Sequence, residues 1–312
     1  MITALAGGVG ASKFLRGLVP VLGPGEVTAI VNTGDDTVVH GLLVCPDLDT
    51  VAYRLSGRSD EVRGWGLSGE TWNVMEALGE LGSETWFALG DRDLATHLYR
   101  TERLAEGATL SEVTAELCAA LGVPAKLIPM SDDPVRTRLS LVDGPEVAFQ
   151  DYFVRLKHEV PVRSVRFEGA EASSPAPGVL DAIESAQAVV ICPSNPIVSI
   201  GPLLAVPGIA DAVRARRSSV VAISPIVAGA AVKGPADHLM TELGHESSVV
   251  GVARIYRELA STLIIDEADA SLLHEVESTG IRCVVAPTIM ANPQLAAELA
   301  RRALHEAAAS AT

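Results

Sequence analysis

Short apolar runs ending in Gly, Pro or Asp punctuate the chain at Ile2–Ala6, Val27–Val31, Trp86–Leu89, Ala188–Cys192, Val220–Ile223, Leu263–Ile265 and Cys283–Ala286. Their length and their Val and Ile content are those of strands buried on both faces. Between several of them the apolar spacing changes to the helical period, at Ser12–Leu22, Thr109–Leu121 and Gly208–Arg216. This alternation predicts an α/β fold, a doubly wound Rossmann-like parallel sheet covered by helices.

The stretch from Lys126 to Glu171 has a different rhythm. RTRLSLVD and EVAFQDYFVRL alternate around Gly144 and Pro145, which predicts an antiparallel hairpin. Residues 169–178, with two Pro and two Ser, form the expected return linker. The expected organisation is a nucleotide-binding core over 1–60 and 175–312, with an inserted helical and β-hairpin subdomain over 61–174.

A chain of 312 residues with 48% hydrophobic content buries a large core. Its formal charge of -15 argues against nucleic acid, because backbone-phosphate binding needs a basic surface. The expected phosphate ligand is therefore small and held locally. Cys45, Cys118, Cys192 and Cys283 form no C-x-x-C pair and read as reduced, buried thiols. MITALAGG has no basic leader segment and runs into a Gly-rich turn, so it reads as a first strand. The apolar stretch 188–213 is broken by Pro193, Pro196, Pro202 and Pro207, which excludes an uninterrupted membrane helix. A cytoplasmic protein without membrane partners is the expectation.

Polar clusters follow several of the predicted strands. Gly7-Gly8-Val9-Gly10-Ala11-Ser12-Lys13 leads into a helix, where glycines and free N–H groups suit a phosphate. The turn lacks the third glycine of G-x-G-x-x-G and the spacing of a Walker A loop, so a merely tight strand–helix turn is equally compatible. Asn32-Thr33-Gly34-Asp35-Asp36 and Pro46-Asp47-Leu48-Asp49 bring four acids towards the crevice where such folds bind ligands. A magnesium ion beside phosphates, an NAD ribose at Asp35, or simple helix and turn capping each account for them. Gly90-Asp91-Arg92-Asp93 through His97 offers Arg92 either as an ion-pair partner or as a clamp on phosphate or carbonyl oxygen, and His97 as an orienting group. Ser194-Asn195-Pro196 with Ser199-Ile200-Gly201, and the later Ser224 to Pro235 loop, suit polar ligand edges or plain turns.

In this order, the motifs GGVGASKFLRGL, NTGDD, CPDLDTVAYRL, GWGLSGETWN, GDRDLATHL, PMSDDPV, FQDYFV, PSNPIVSIGPLL and SPIVAG resemble the 2-phospholactate transferase family of coenzyme F-420 biosynthesis. The likeness spans residues 1 to about 290 and is nearest the actinobacterial branch, whose members are phosphoenolpyruvate transferases. Twenty Arg against four Lys points the same way, as the bias of a GC-rich genome.

The resemblance implies transfer of a phospho-three-carbon acid from a guanosine diphosphate donor to the ribityl hydroxyl of the deazaflavin alcohol Fo. GMP would leave, in a magnesium-dependent reaction run by a homodimer. It places Asp49 and Arg92 at Fo as the catalytic pair. Gly7, Gly8, Gly10, Ser12, Lys13, Ser194, Asn195, Pro196, Ser199 and Gly201 fall on the nucleotide side, and Asp36, Asp47 and Asp49 are the expected magnesium ligands. Trp65, Trp72 and Phe149 are candidate walls for the deazaflavin, or core residues. Two rivals stand beside this reading: an NAD-linked oxidoreductase using Asp35, and a nucleotide-sugar-binding regulator of the same superfamily.

Overall fold

The computed structural model describes residues 1–310. Seven strands form the main sheet: β1 (Ile2–Ala6), β2 (Val27–Val31), β3 (Lys126–Pro129), β4 (Ala188–Ile191), β5 (Val220–Ile223), β6 (Thr262–Ile265) and β7 (Arg282–Val285). They lie in the order β3-β2-β1-β4-β5-β6-β7, and every pairing is parallel. This is the doubly wound, Rossmann-like order expected from the sequence.

Alternate residues of each strand face opposite layers. Leu5, Ile30, Ile128, Val189 and Ile191 point to one core, with Ile183, Ile209, Val213 and Tyr256 from covering helices. Ala4, Ala6, Ala29, Val31 and Val190 point to the other, beneath α1 (Gly8–Leu22), α2 (Pro46–Leu55) and the C-terminal helix Pro293–Ser310. Both faces are covered, which is why these strands read as unbroken apolar runs rather than alternating ones.

Two expectations are corrected. Trp86–Leu89 is no strand; Leu89 is buried in a small cluster with Val44, Met75 and Leu94, and Trp86 meets Phe87 edge-on. The segment 61–174 does not stand apart as an insertion, because its Lys126–Pro129 is the edge strand β3 of the main sheet. A four-residue run ending in Pro is a weak strand signal, yet the edge tolerates a residue without an N–H.

Past β3, Arg136–Leu141 pairs antiparallel with Glu146–Ala148 around the expected turn, and on its other edge with Val162–Glu168. The second arm of the hairpin is shorter than its alternation suggested, since Asp151–Arg155 coils into a helical turn. This small sheet is tied to the acid-rich loop after β2, where Thr137 N donates to Gly34 O at 2.7 Å. Among the described residues no single helix is long and apolar enough to cross a membrane. The apolar pair Pro196–Ala205 and Ile209–Ala215 is bent by 96° at its junction.

Candidate active site

The sheet reverses its winding between β1 and β4, so the loops leaving these strands flank the crevice where doubly wound folds hold ligands. Gly7 caps α1 there, and Ser194 staples it: its hydroxyl donates to Gly7 O at 2.8 Å and accepts from Gly7 N at 3.4 Å. A Cβ on Gly10 would lie 2.0 Å from Pro193 O, and one on Gly7 would lie 2.7 Å from Ser199 Cβ. These glycines let the two loops touch. Asn195 caps the following helical turn, its Oδ1 accepting from Ile197 N at 2.9 Å and Val198 N at 3.3 Å, while its buried Nδ2 has no partner. Pro196 opens that turn, and Gly201 ends it against the Phe167 ring.

The acids of the second and third loops gather beside this turn. Asn32, next after β2, donates from Nδ2 to Asp47 at 2.9 Å and accepts from Gly34 N at 2.8 Å. Asp47 also accepts from Gly8 N–H, so the N-terminus of α1 is already faced by a carboxylate. Asp36 accepts from the Cys45 thiol at 3.1 Å. Asp35, Asp36 and Asp47 are each at least nine-tenths buried, and Asp35 Oδ1 and Asp36 Oδ1 have no hydrogen-bond partner.

Burial is the main reason their carboxyls rise above the usual range. Asp36 reaches about 7 despite the Arg136 charge and the Cys45 thiol, and Asp47 reaches about 6 despite Asn32 and Gly8. Asp35 is also pushed well above the usual carboxylate range, by burial and then by the neighbouring Asp47. Among the described residues, no three His, Cys, Asp or Glu side chains already converge in a metal-holding geometry.

Asp49, in the first turn of α2, belongs to a different network. Both its oxygens are taken by the buried guanidinium of Arg100, Oδ2 at 3.2 Å from Nη1 and Oδ1 in closer contact with Nη2. Arg100 lies on α3 (Asp91–Ala105), as does His97, whose Nδ1 is 3.7 Å from Asp49 and 3.2 Å from Arg100 Nη1. Because guanidinium only donates, Nδ1 is the acceptor there. His97 Nε2 lies 3.4 Å from Asp93, which accepts from the Tyr53 hydroxyl at 2.6 Å.

Arg92 sits one residue into α3 and is exposed; its side chain donates to Ser68 O at 3.1 Å. Glu70 caps this helix by accepting from the backbone N–H groups of Arg92 and Asp93 at 2.8 and 2.9 Å.

Some expected residues thus come together and others do not. Gly7, Gly8, Gly10, Asp36, Asp47, Ser194, Asn195 and Ser199 share the crevice, whereas Ser12 is turned into α1, donating to Val9 O at 2.9 Å. Lys13 lines a separate basic cavity. Phe149 is a core residue stacked on Phe153, while Trp65 and Trp72 bracket Arg63. Sequence reasoning named Asn32 only as part of its motif and missed Arg100, Arg136 beside Asp36, and Gln150, whose Nε2 donates to Asp35 O at 3.4 Å. The only local sign of Arg100 was its spacing of three from His97, which places both on one helix face.

A sequence profile described as 2-phospho-L-lactate transferase CofD matches residues 2–289. The chain is 46% identical over 309 residues to a phosphoenolpyruvate transferase of Kitasatospora aureofaciens, covering 97% of this chain and 96% of that protein. It is 47% identical to the phosphoenolpyruvate transferase of Streptomyces griseus, with 97% of each chain covered. Against that of Mycolicibacterium smegmatis it is 40% identical, with 99% of each covered. Among solved structures it superposes on BH3568 of Bacillus halodurans with a TM-score of 0.64, at 18% identity and over 97% of this chain and 98% of that one.

Proposed function

The chain belongs to the 2-phospho-L-lactate transferase family, and from that premise we propose that it moves a phospho-three-carbon acid from a guanosine diphosphate carrier to the ribityl hydroxyl of Fo. GMP is the leaving product, and the chain works as a cytoplasmic homodimer. The observation that carries the reading is the set of buried, under-bonded carboxylates beside the Gly-rich turn at the switch point of the sheet. Once ionised, such acids in one crevice repel a phosphate, so an anionic donor is best received with a cation between them.

Asp35, Asp36 and Asp47 fit a magnesium ion: they are hard oxygen donors, and two of their buried oxygens lack any partner. Asp36 and Asp47 are the proposed ligands, with Asp35 beside them. Asp49 fits this role less well, because Arg100 already occupies both its oxygens. When bound, the cation neutralises charge on the phosphate being transferred.

The chain's own residues do the rest by positioning. The Gly-rich turn, beyond Gly7 and Gly8 whose N–H groups are taken by Ser194 and Asp47, and the Ser194–Asn195 junction supply N–H and amide donors to the nucleotide, including the unpartnered Asn195 Nδ2. Asp49, held by Arg100, keeps its remaining lone pairs free to orient the attacking hydroxyl, and Arg92 offers its exposed donor fork to the deazaflavin. Transfer of this kind needs alignment and charge neutralisation rather than a protein nucleophile.

The test is mass spectrometry of products formed from Fo with guanylylated phosphoenolpyruvate or guanylylated 2-phospholactate, with magnesium and with chelator. Dehydro-F-420 lacking glutamates is the expected product of the first donor. Turnover in chelator equal to that with magnesium would refute the cation role. Asp49→Asn and Arg92→Ala are expected to lower Fo affinity or turnover while leaving GDP binding intact; the reverse result exchanges the two ends of the site.

A further inference from the structure

Beyond the acidic crevice, a polar cavity of about 270 Å³ opens between α1, α2, the loop 60–66 and the start of the C-terminal helix. Five cationic side chains line it, Lys13, Arg16, Arg54, Arg63 and Lys233, against one acid, Glu61. Glu61 is already shared between Arg16 at 2.7 Å and Arg54 at 3.1 Å. Arg63 is engaged within its own loop, donating to Trp65 O at 3.1 Å and Leu67 O at 2.8 Å. Lys13 and Lys233 make no hydrogen bond or ion pair among the described residues, and they lie near enough for their charges to oppose one another. Arg54 is 4% exposed, yet its Nε has no partner.

A nine-tenths-buried guanidinium donor without a partner is costly unless a ligand completes it, and the half-buried Lys13 and exposed Lys233 add two unpaired positive charges beside it. We propose that Lys13, Arg54 and Lys233 form an anion site for a small phosphorylated acid, with the loop 60–66 as its outer wall. The cavity matches a few non-hydrogen atoms bearing phosphate and carboxylate rather than a whole nucleotide or a flat tricycle. Glu61 ties the wall to α1 and α2, and Lys233 Nζ lies 3.0 Å from where a Cβ on Gly64 would sit, so the two loops meet across the mouth. This deepens the transferase reading by giving the acidic substrate group its own binding residues, separate from the carboxylates of the crevice.

The Arg63 guanidinium lies 4.7 Å from the Trp65 ring centre and 5.1 Å from that of Trp72, so an anion reaching this wall alters tryptophan emission. The experiment titrates the whole protein, without Fo, with phosphoenolpyruvate and separately with inorganic pyrophosphate, at ionic strength fixed by sodium chloride. Fluorescence and calorimetry are read together. Saturable binding of either probe is expected. Lys13→Ala and Lys233→Ala should each weaken it about tenfold or more, Lys233→Arg should recover much of it, and Lys126→Ala, an exposed cation on β3, should change nothing.

Tighter binding of phosphoenolpyruvate assigns the site to a carboxylate-bearing acid, and tighter binding of pyrophosphate assigns it to a diphosphate; both uphold the site. No saturable binding in the wild-type protein, or variants that bind like wild type with unchanged circular dichroism melts, overturns it. Because Fo and transfer are absent from this assay, its failure is distinct from a failure to form product with Fo.

Discussion

A carboxylate buried with an unfilled oxygen strains the fold in a pH-dependent way. Asp36 in the folded chain titrates near 7, against 3.8 for an ordinary aspartate, mainly because it is buried. The folded form therefore binds its proton more tightly than the unfolded one. Its contribution to stability is complete below the unfolded value and is lost as pH rises through 7. Metal-free protein is expected to melt at progressively lower temperature from pH 5 to pH 8, losing roughly 2–3 kcal/mol of stability from this residue over that range. Asp36→Asn should flatten that slope and raise the melting temperature at pH 8 while reducing activity; an unchanged slope would remove Asp36 from the argument. Asp49 presents the opposite case, a buried charge whose partner is present. Arg100→Ala should cost about 3–5 kcal/mol in chemical denaturation because it strands that charge. Arg100→Lys should restore only part, lacking the fork that holds both oxygens.

At the scale of elements, the crevice depends on how closely the turn after β1 meets the loop after β4. Gly10→Ala would drive a methyl into Pro193 O, backbone against backbone, with no side chain to rotate away. A loss of about 1–3 kcal/mol or more is expected, together with loss of nucleotide affinity, since the same loops form the proposed nucleotide site. Ser194→Ala removes one 2.8 Å bond across that contact and should cost about 1 kcal/mol. Equal melting temperatures for Gly10→Ala and wild type would show that the loops do not touch as described. Thr109→Ala serves as a comparison away from the site. It breaks the capping box with Glu112 at the start of the helix Leu110–Leu121, and should cost about 1 kcal/mol without affecting ligand binding.

For the whole molecule, the distribution of charge matters more than its sum. The chain carries a net -15, with carboxylates concentrated at the crevice and a compact cationic cavity beside it. A cation bound only by the folded form stabilises it by mass action, about 2.7 kcal/mol at a hundredfold excess over Kd. Magnesium should therefore raise the melting temperature at pH 8, and Asp36→Asn and Asp47→Asn should abolish most of that rise. A shift that survives in both variants would place the ion elsewhere.

The sequence alone determined those features whose causes are local. Runs such as Val27–Val31 and Val220–Ile223 are rich in the Val and Ile that doubly buried strands use, the glycines after β1 permit a tight turn, and the helical period over Thr109–Leu121 marks a helix. Asp36 and Asp47 were legible as acids leaving strand ends for the same reason. Tertiary structure decided everything that depends on partners far along the chain. Trp86–Leu89 is as apolar as a strand but is consumed by a side cluster, while Lys126–Pro129 becomes one because β2 offers it a free edge. Asp49 and Arg100 stand 51 residues apart, and Arg54 meets Lys13 and Lys233 only through packing of α1, α2 and two loops. A residue's type and spacing state what it can bond to, but only folding of the distant chain decides whether that bond is filled from within or left for a ligand.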